Sequence, residues 1–529
     1  MPFHAAILET LRVTKTQKGD GVVSTNLPRV TTGVPGFDEI LHGGLPSNHV
    51  YLLDGSPGSG KTTFCMQFLL EGVRLGEKVL YLTLLHDKLT IDEMAVSHGW
   101  DMTGVEVCSL RVESMEESLA AEQTLLSSSE VQLTVVLDSV KQALDRIKPK
   151  RVVFDSIEQF RLLAGEQLIY RQKILALQRL MEDRRITALF VEASPANAEF
   201  KTLAHGVIVL DTVLRTYGNL GRRIQVEKLR NVSFDEGYHS FSILTGGIVI
   251  FPRLHHTGQV VQSEWVLATS GIAEVDAMLD GGLAYGSSCL IVGQAGTGKS
   301  TLATAYVYAE AKRGKHAAIF LFDERVDTFL KRSRGLGMDP SPLIEQGLLT
   351  VERVDSWDIS AGEFAKRLKD VVEQDKTKIV VIDSLTGYAS TMRGDPLLLD
   401  QLHDMMTYLG QQGVLSLMTT TEHGIIGTQQ VVMDASYIAD AVVLLRRFEA
   451  MGTVRLAMSV IKKRYGNHEK SIRELKITSE ELLVGQPLTD LQGVLTGIPV
   501  FVGLKKKLIA PATGEGVAQH TNNTDKRAK

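Results

Sequence analysis

A glycine-rich octapeptide occurs twice in this chain, and nothing else in the sequence restricts its folding so much. Gly55-Ser56-Pro57-Gly58-Ser59-Gly60-Lys61-Thr62 is followed by Thr63, and Gly293-Gln294-Ala295-Gly296-Thr297-Gly298-Lys299-Ser300 by Thr301. Lys61 and Lys299 lie 238 residues apart, and the flanks repeat at the same offset. Gly33 matches Gly271, Asp38 matches Asp276, and Gly43-Gly44-Leu45 matches Gly281-Gly282-Leu283. Further on, Gly99 and Asp101 match Gly337 and Asp339. So many positions at one offset imply duplication of a whole domain of roughly 230 residues, rather than a solenoid of short units.

Each octapeptide is preceded by a short apolar run, Val50–Leu53 or Cys289–Val292, and followed by a helical pattern, Thr62 to Val73 or Ser300 to Lys312. Val79–Leu85 and Ala317–Phe322 read as second strands, Val152–Phe154 and Ile379–Ile382 as third strands. Apolar strands alternating with amphipathic helices predict an α/β fold: two tandem domains, each a mostly parallel sheet covered by helices on both faces. The boundaries expected are a tail over 1–25, a first domain over 26–250, a second over 251–505 and a disordered tail over 506–529. The join is expected near Phe251 to Glu264, and the polar run Pro511 to Lys529 lacks apolar periodicity.

A strand, a glycine-rich turn and a helix in that order form a phosphate cradle. Backbone N–H groups point inward only where side chains do not obstruct them, and the helix N-terminus adds its partial positive charge. Residues 55–63 and 293–301 are therefore the expected ATP contacts, with Lys61 and Lys299 reaching the β- and γ-phosphates. Thr62 and Ser300 would each place a hydroxyl on Mg²⁺. Asp155 follows Arg-Val-Val-Phe and Asp383 follows Ile-Val-Val-Ile, 94 and 84 residues after their lysines. A carboxylate at the end of a strand beside the cradle holds Mg²⁺ through water, so these complete the expected metal sites.

Hydrolysis also needs a group that orients or deprotonates water. Here the halves part. The second half has Asp323-Glu324 after its second strand, whereas the first has Leu85-His86 at the same offset, with Asp87 one position along. Leucine accepts no proton, so catalysis is assigned to Glu324, Asp323 and Lys299 in the second half. A basic pair closes each half: Lys228 and Arg230 in the first, Lys462 and Arg464 in the second, with His468 four residues after Arg464. Cations so distant in sequence either line a solvated strand face or supply charge to the γ-phosphate of a neighbouring subunit.

Composition excludes little more. Apolar residues make 44% of the 529 and charged residues 22%, with a formal charge of −5, which favours no polyanionic partner. No apolar run approaches the ~20 residues of a membrane span, and no signal-peptide pattern is present. Cys65, Cys108 and Cys289 are scattered, which reads as reduced thiols in a cytoplasmic protein.

Two tandem P-loop domains, each with a Gly…Asp…Gly-Gly-Leu lead-in, resemble the KaiC family of RecA-like ATPases over about residues 30 to 505. The second half matches better, through Asp323-Glu324 and through Lys462, Arg464 and His468. The resemblance implies a homohexamer of stacked double rings, with the basic residues entering the adjacent subunit's ATP site. It also implies serine/threonine autokinase activity, for which Ser436, followed by Tyr437 rather than threonine, is the phosphosite. Two departures mark the first half: Leu85-His86 stands where the family carries acids, and Phe234 where it carries histidine. The first ring is then an ATP-binding platform and the second the ATP hydrolase. The Leu495 to Gly503 stretch resembles the C-terminal ends of KaiC-like proteins outside the clock itself.

Two other classes compete with this signalling or timing ATPase. A RecA-like DNA-dependent ATPase or recombination mediator would line its ring centre with basic loops. Of the two loops available, residues 387–397 carry one arginine, Arg393, and residues 422–434 carry no lysine or arginine, which argues against nucleic acid. An ATP-gated scaffold would bind protein regulators with little turnover.

Overall fold

The computed structural model describes residues 27–84, 87–110, 128–164, 166–193, 198–214, 220–254, 266–354, 359–392, 398–423, 430–431, 436–478, 480–496 and 499–502. Leu85-His86, Arg393, the join over 255–265, most of the loop over 422–434 and both tails lie outside them. Contacts divide the chain into two compact units, with the break between Arg253 and Leu254.

Each unit is built on one large sheet. In the first, the strands lie side by side in the order Gly247–Phe251, Tyr238–Leu244, Gly221–Leu229, Gly206–Val213, Val50–Gly55, Thr187–Ala193, Arg151–Asp155, Val79–Thr83 and Val105–Ser109. The six from Gly206–Val213 onward run parallel, and the first three form an antiparallel extension. Nine strands of the second unit repeat this order, from Leu482–Pro487 across to Leu349–Arg353, with the P-loop strand Ser288–Gly293 again central. These are two tandem RecA-like domains.

The parallel part follows from the sequence. A parallel neighbour needs a crossover, and helices on both faces leave no wet side. Val50, Tyr51, Leu52 and Leu53 are all fully buried. Tyr51 and Leu53 join the cluster with Phe64, Phe68 and Leu69 of the P-loop helix, whereas Val50 and Leu52 join the cluster with Tyr170, Ile174 and Leu177. The second unit divides its core in the same way, with Cys289 and Ile291 on one face and Leu290 and Val292 on the other.

The strands extend slightly beyond the apolar runs, to Gly55 and Gly293, and the helices begin one residue earlier than their pattern, at Lys61 and Lys299. The glycines explain both limits. A Cβ on Gly55 would stand 2.4 Å from the Leu210 carbonyl oxygen, and one on Gly293 2.3 Å from that of Leu445. Gly60 and Gly298 cap the helices in the left-handed region, at φ 104° and 94°, where a side chain is strained. No helix among the described residues is long and apolar enough to cross a membrane. Cys65 and Cys289 are buried, and none of the three cysteines is disulfide-bonded.

Candidate functional site

Both cradles form at the C-terminal end of the central strand, the position parallel sheets reserve for ligands. In the first, Lys61 Nζ donates to the carbonyl oxygens of Gly55 at 2.6 Å and Ser56 at 2.9 Å. Burial lowers its affinity for protons, and the charges of Asp155 and Asp54 pull partly back. In the second, Lys299 Nζ donates to Gln294 O at 2.9 Å. Each lysine is thus folded back over its own loop, held by carbonyls that an incoming phosphate would replace.

The strand order places each expected metal-binding aspartate two strands from its P-loop strand, with one strand between. Thr62 Oγ1 donates to Asp155 Oδ2 at 3.4 Å, and Tyr81 donates to the same oxygen at 2.5 Å. Asp383 accepts from Thr419 Oγ1 at 2.5 Å. Both Asp-Ser peptide bonds, Asp155–Ser156 and Asp383–Ser384, are cis. A hydroxyl and a carboxylate converging at Thr62 and Asp155 make the hard oxygen set that Mg²⁺ takes, and Ser300 and Asp383 occupy the matching places in the second unit.

Beyond the second strand of the second unit, Asp323 accepts a bond from Ser384 Oγ at 2.5 Å, next to the metal-site aspartate. Glu324 turns elsewhere, into a two-pronged ion pair with Arg332. In the first unit the next carboxylate along the chain, Asp87, caps the helix Lys88–His98 by accepting from the Thr90 N–H at 2.9 Å. Its place is explained by helix capping.

The basic pairs are presented alike in both units. Lys228 Nζ donates to the carbonyl oxygens of Lys201, Thr202 and Ala204, and Arg230 to that of Thr202. Lys462 Nζ donates to those of Ser436 and Ala439, and Arg464 to that of Tyr437 at 2.8 Å. Strand register locates them. Lys462 pairs with Val442, whose strand runs parallel to the P-loop strand and reaches Gly293 only at Leu445. Lys228 pairs with Val207, and Leu210 lies opposite Gly55. At about 3.3 Å per residue, both lysines stand some 10 Å back along the sheet from their own P-loops, toward its opposite end. Ser436 and Tyr437 are exposed beside Lys462 and Arg464. His468 is half-buried in the connection that follows, and Phe234 packs against the first unit's core.

Two features escaped the motif reading. Asp54 and Glu192 lie opposite each other at the ends of adjacent strands, buried, where the second unit has Val292 and Thr420. Asp54 meets Lys201 at 3.2 Å, and Glu192 lies 3.9 Å from Arg161. Arg447 is exposed, with Nη2 only 2.5 Å from where a Cβ on Gly296 would stand; the matching first-unit residue is Thr212, 3.4 Å from Ser56. An acid inside a strand and an arginine late in the domain are weak signals until the register brings them to the cradle.

The His49 and His205 rings stack at 3.7 Å, 6° from parallel. Burial, the neighbouring His49 and the charges of Arg230 and Lys228 push His205 down to about 4, against the interaction of its ring with the Arg230 backbone, which favours the charged form. Burial also lowers His49, against the pull of Glu182. A folded value below the unfolded one means protonation favours unfolding. The first unit's stability is therefore full above about pH 6.5 and declines toward pH 4, by roughly 1–2 kcal/mol. Thermal unfolding across that range should show the decline, and His205→Phe should flatten most of it.

A family model described as "ATPase: KaiC" matches residues 30–255 and again 268–489. A circadian clock protein KaiC3 from Synechocystis is 27% identical over 498 residues, covering 92% of this chain and 96% of that protein. Circadian clock oscillator proteins KaiC from Synechococcus elongatus and Acaryochloris marina are 27% and 26% identical. They cover 91% and 90% of this chain and 93% and 92% of their own lengths.

Proposed function

The chain belongs to the KaiC family of ATPases, and we propose that it binds Mg·ATP in both units and hydrolyses it mainly in the second. The observation that carries this reading is the duplicated cradle with Asp323-Glu324 after the second strand of one copy, where the other copy has Leu85-His86. Residues 55–63 and 293–301 enclose the phosphates with backbone N–H groups, while Lys61 and Lys299 leave their carbonyls for the β- and γ-phosphates. Mg²⁺, held by Thr62 and Asp155 or by Ser300 and Asp383, would supply charge neutralisation at the phosphate oxygens.

In the second unit Glu324 takes the proton of the attacking water, Lys299 steadies the charge on the γ-phosphate, and Asp323 is held by Ser384. Lys462, Arg464 and His468 complete the site of an adjacent subunit; Lys462 and Arg464 stand away from their own P-loop. Lys228 and Arg230 do the same for the first. Such sharing calls for a closed ring, which gives every site a neighbour, and the size of six is what the family resemblance implies. The first ring then acts as a platform that binds ATP and turns over little. The signalling or timing role is carried over from the relatives' names, and protein regulators remain part of that proposal.

Ser436 is the proposed autophosphorylation site, being exposed and carried on the segment that holds Lys462 and Arg464. Incubation with Mg·ATP, followed by phosphate release and intact-mass measurement on one sample, tests both activities. The expected result is steady phosphate release that stops in Asp383→Asn, with an added phosphoryl group that Ser436→Ala removes. No release from the wild type would leave only an ATP-gated scaffold.

A further inference from the structure

Glu324, the proposed base, is already engaged. Arg332 Nε donates to its Oε1 at 3.2 Å and Nη2 to its Oε2 at 2.9 Å. The guanidinium approaches side-on and occupies both carboxylate oxygens. Both side chains are about three-quarters buried, at 26% and 22% exposure, so water screens this pair less than an ordinary surface pair. Arg332 is itself braced: it lies on the helix Val326–Gly335, with its guanidinium 5.5 Å from the ring centre of Phe329. Its third nitrogen, Nη1, is buried and has no hydrogen-bond partner among the described residues.

The other repeat shows what this arginine accompanies. At the offset that matches Gly99 to Gly337, Arg332 corresponds to Met94 and Glu324 to His86. Met94 packs against the first unit's core from the equivalent helix. The arginine is present in the copy that has the glutamate and absent from the copy that lacks it. A staple needed to hold this helix to the domain would be expected in both.

We propose that Arg332 is a positioning residue that restrains Glu324 and keeps ATP turnover slow. This rests on Glu324 being the base. With Oε1 and Oε2 both accepting from the guanidinium fork, neither carboxylate oxygen is left free to accept from a water. To take a proton from a water at the γ-phosphate, Glu324 must loosen one or both of these bonds. The restraint acts after nucleotide is bound, so it belongs in kcat and not in KM.

The test is steady-state phosphate release by the full-length protein carrying Arg332→Met, the residue of the other repeat, with Arg332→Gln as a second neutral variant. Both are expected to raise kcat by about fivefold or more while KM and ATP affinity stay within about twofold. Arg332→Lys restores a cation and is expected to return kcat most of the way to wild type. Thermal unfolding identifies a neutral variant that does not fold, and the other then decides. An unchanged or lower kcat in a folded neutral variant overturns the proposal, as does a KM that moves in step with kcat. Glu324→Gln separates the two failures. If it leaves turnover intact, the assignment of Glu324 falls and takes this proposal with it. If it abolishes turnover while neutral Arg332 variants gain nothing, the restraint alone is wrong.

Discussion

Glu324→Gln should lower ATP turnover by at least about 100-fold while leaving nucleotide binding nearly unchanged. Glutamine keeps the size and one hydrogen-bond acceptor of glutamate but takes no proton. Nothing in the two cradles depends on it: Lys61 and Lys299 are held by loop carbonyls, and Asp383 by Thr419. The loss should therefore sit in kcat, read by phosphate release, with ATP affinity measured separately by fluorescence or calorimetry. Turnover that survives this change and fails instead in Lys61→Ala would move the active site to the first unit.

Arg464→Ala should cost about as much as the loss of an arginine finger, ~10³-fold in turnover, through a site on another subunit. Its strongest form is a mixing experiment. Subunits carrying Arg464→Ala still own an intact Glu324, and subunits carrying Glu324→Gln still own an intact Arg464. In mixed rings about a quarter of the sites would combine the two intact residues across a subunit boundary. Two nearly inactive proteins, co-expressed, should therefore recover a substantial part of wild-type turnover. Mixed oligomers without recovery would place Arg464 in its own subunit's site or outside catalysis. The register argues for recovery, because Lys462 pairs with Val442 while the P-loop strand ends beside Leu445.

Much of this was legible in the residues. The P-loops, the aspartates after the third strands and the missing acid at Leu85-His86 are local patterns, and a duplicated chain exposes them by comparison with itself. A phosphate cradle is made by one strand, one turn and one helix in succession, so eight consecutive residues specify it. The strand ends were misjudged only by a residue or two, because Gly55 and Gly293 look like turn residues yet must lie in the strand to pass the carbonyls of Leu210 and Leu445.

The sequence alone thus determined the two-unit α/β architecture, the place of each cradle and the inequality of the halves. Only the tertiary structure decided what each charged group faces. Glu324 faces Arg332, Asp323 faces Ser384, Asp87 caps a helix, and Lys462 and Arg464 rest on the carbonyls of Ser436, Ala439 and Tyr437. Glu192 and Arg447 reach the cradles from strands whose register no local pattern fixes. The physical reason is that backbone conformation is dictated over a few residues, whereas an ion pair depends on which distant strands lie side by side and how far one is shifted along the other.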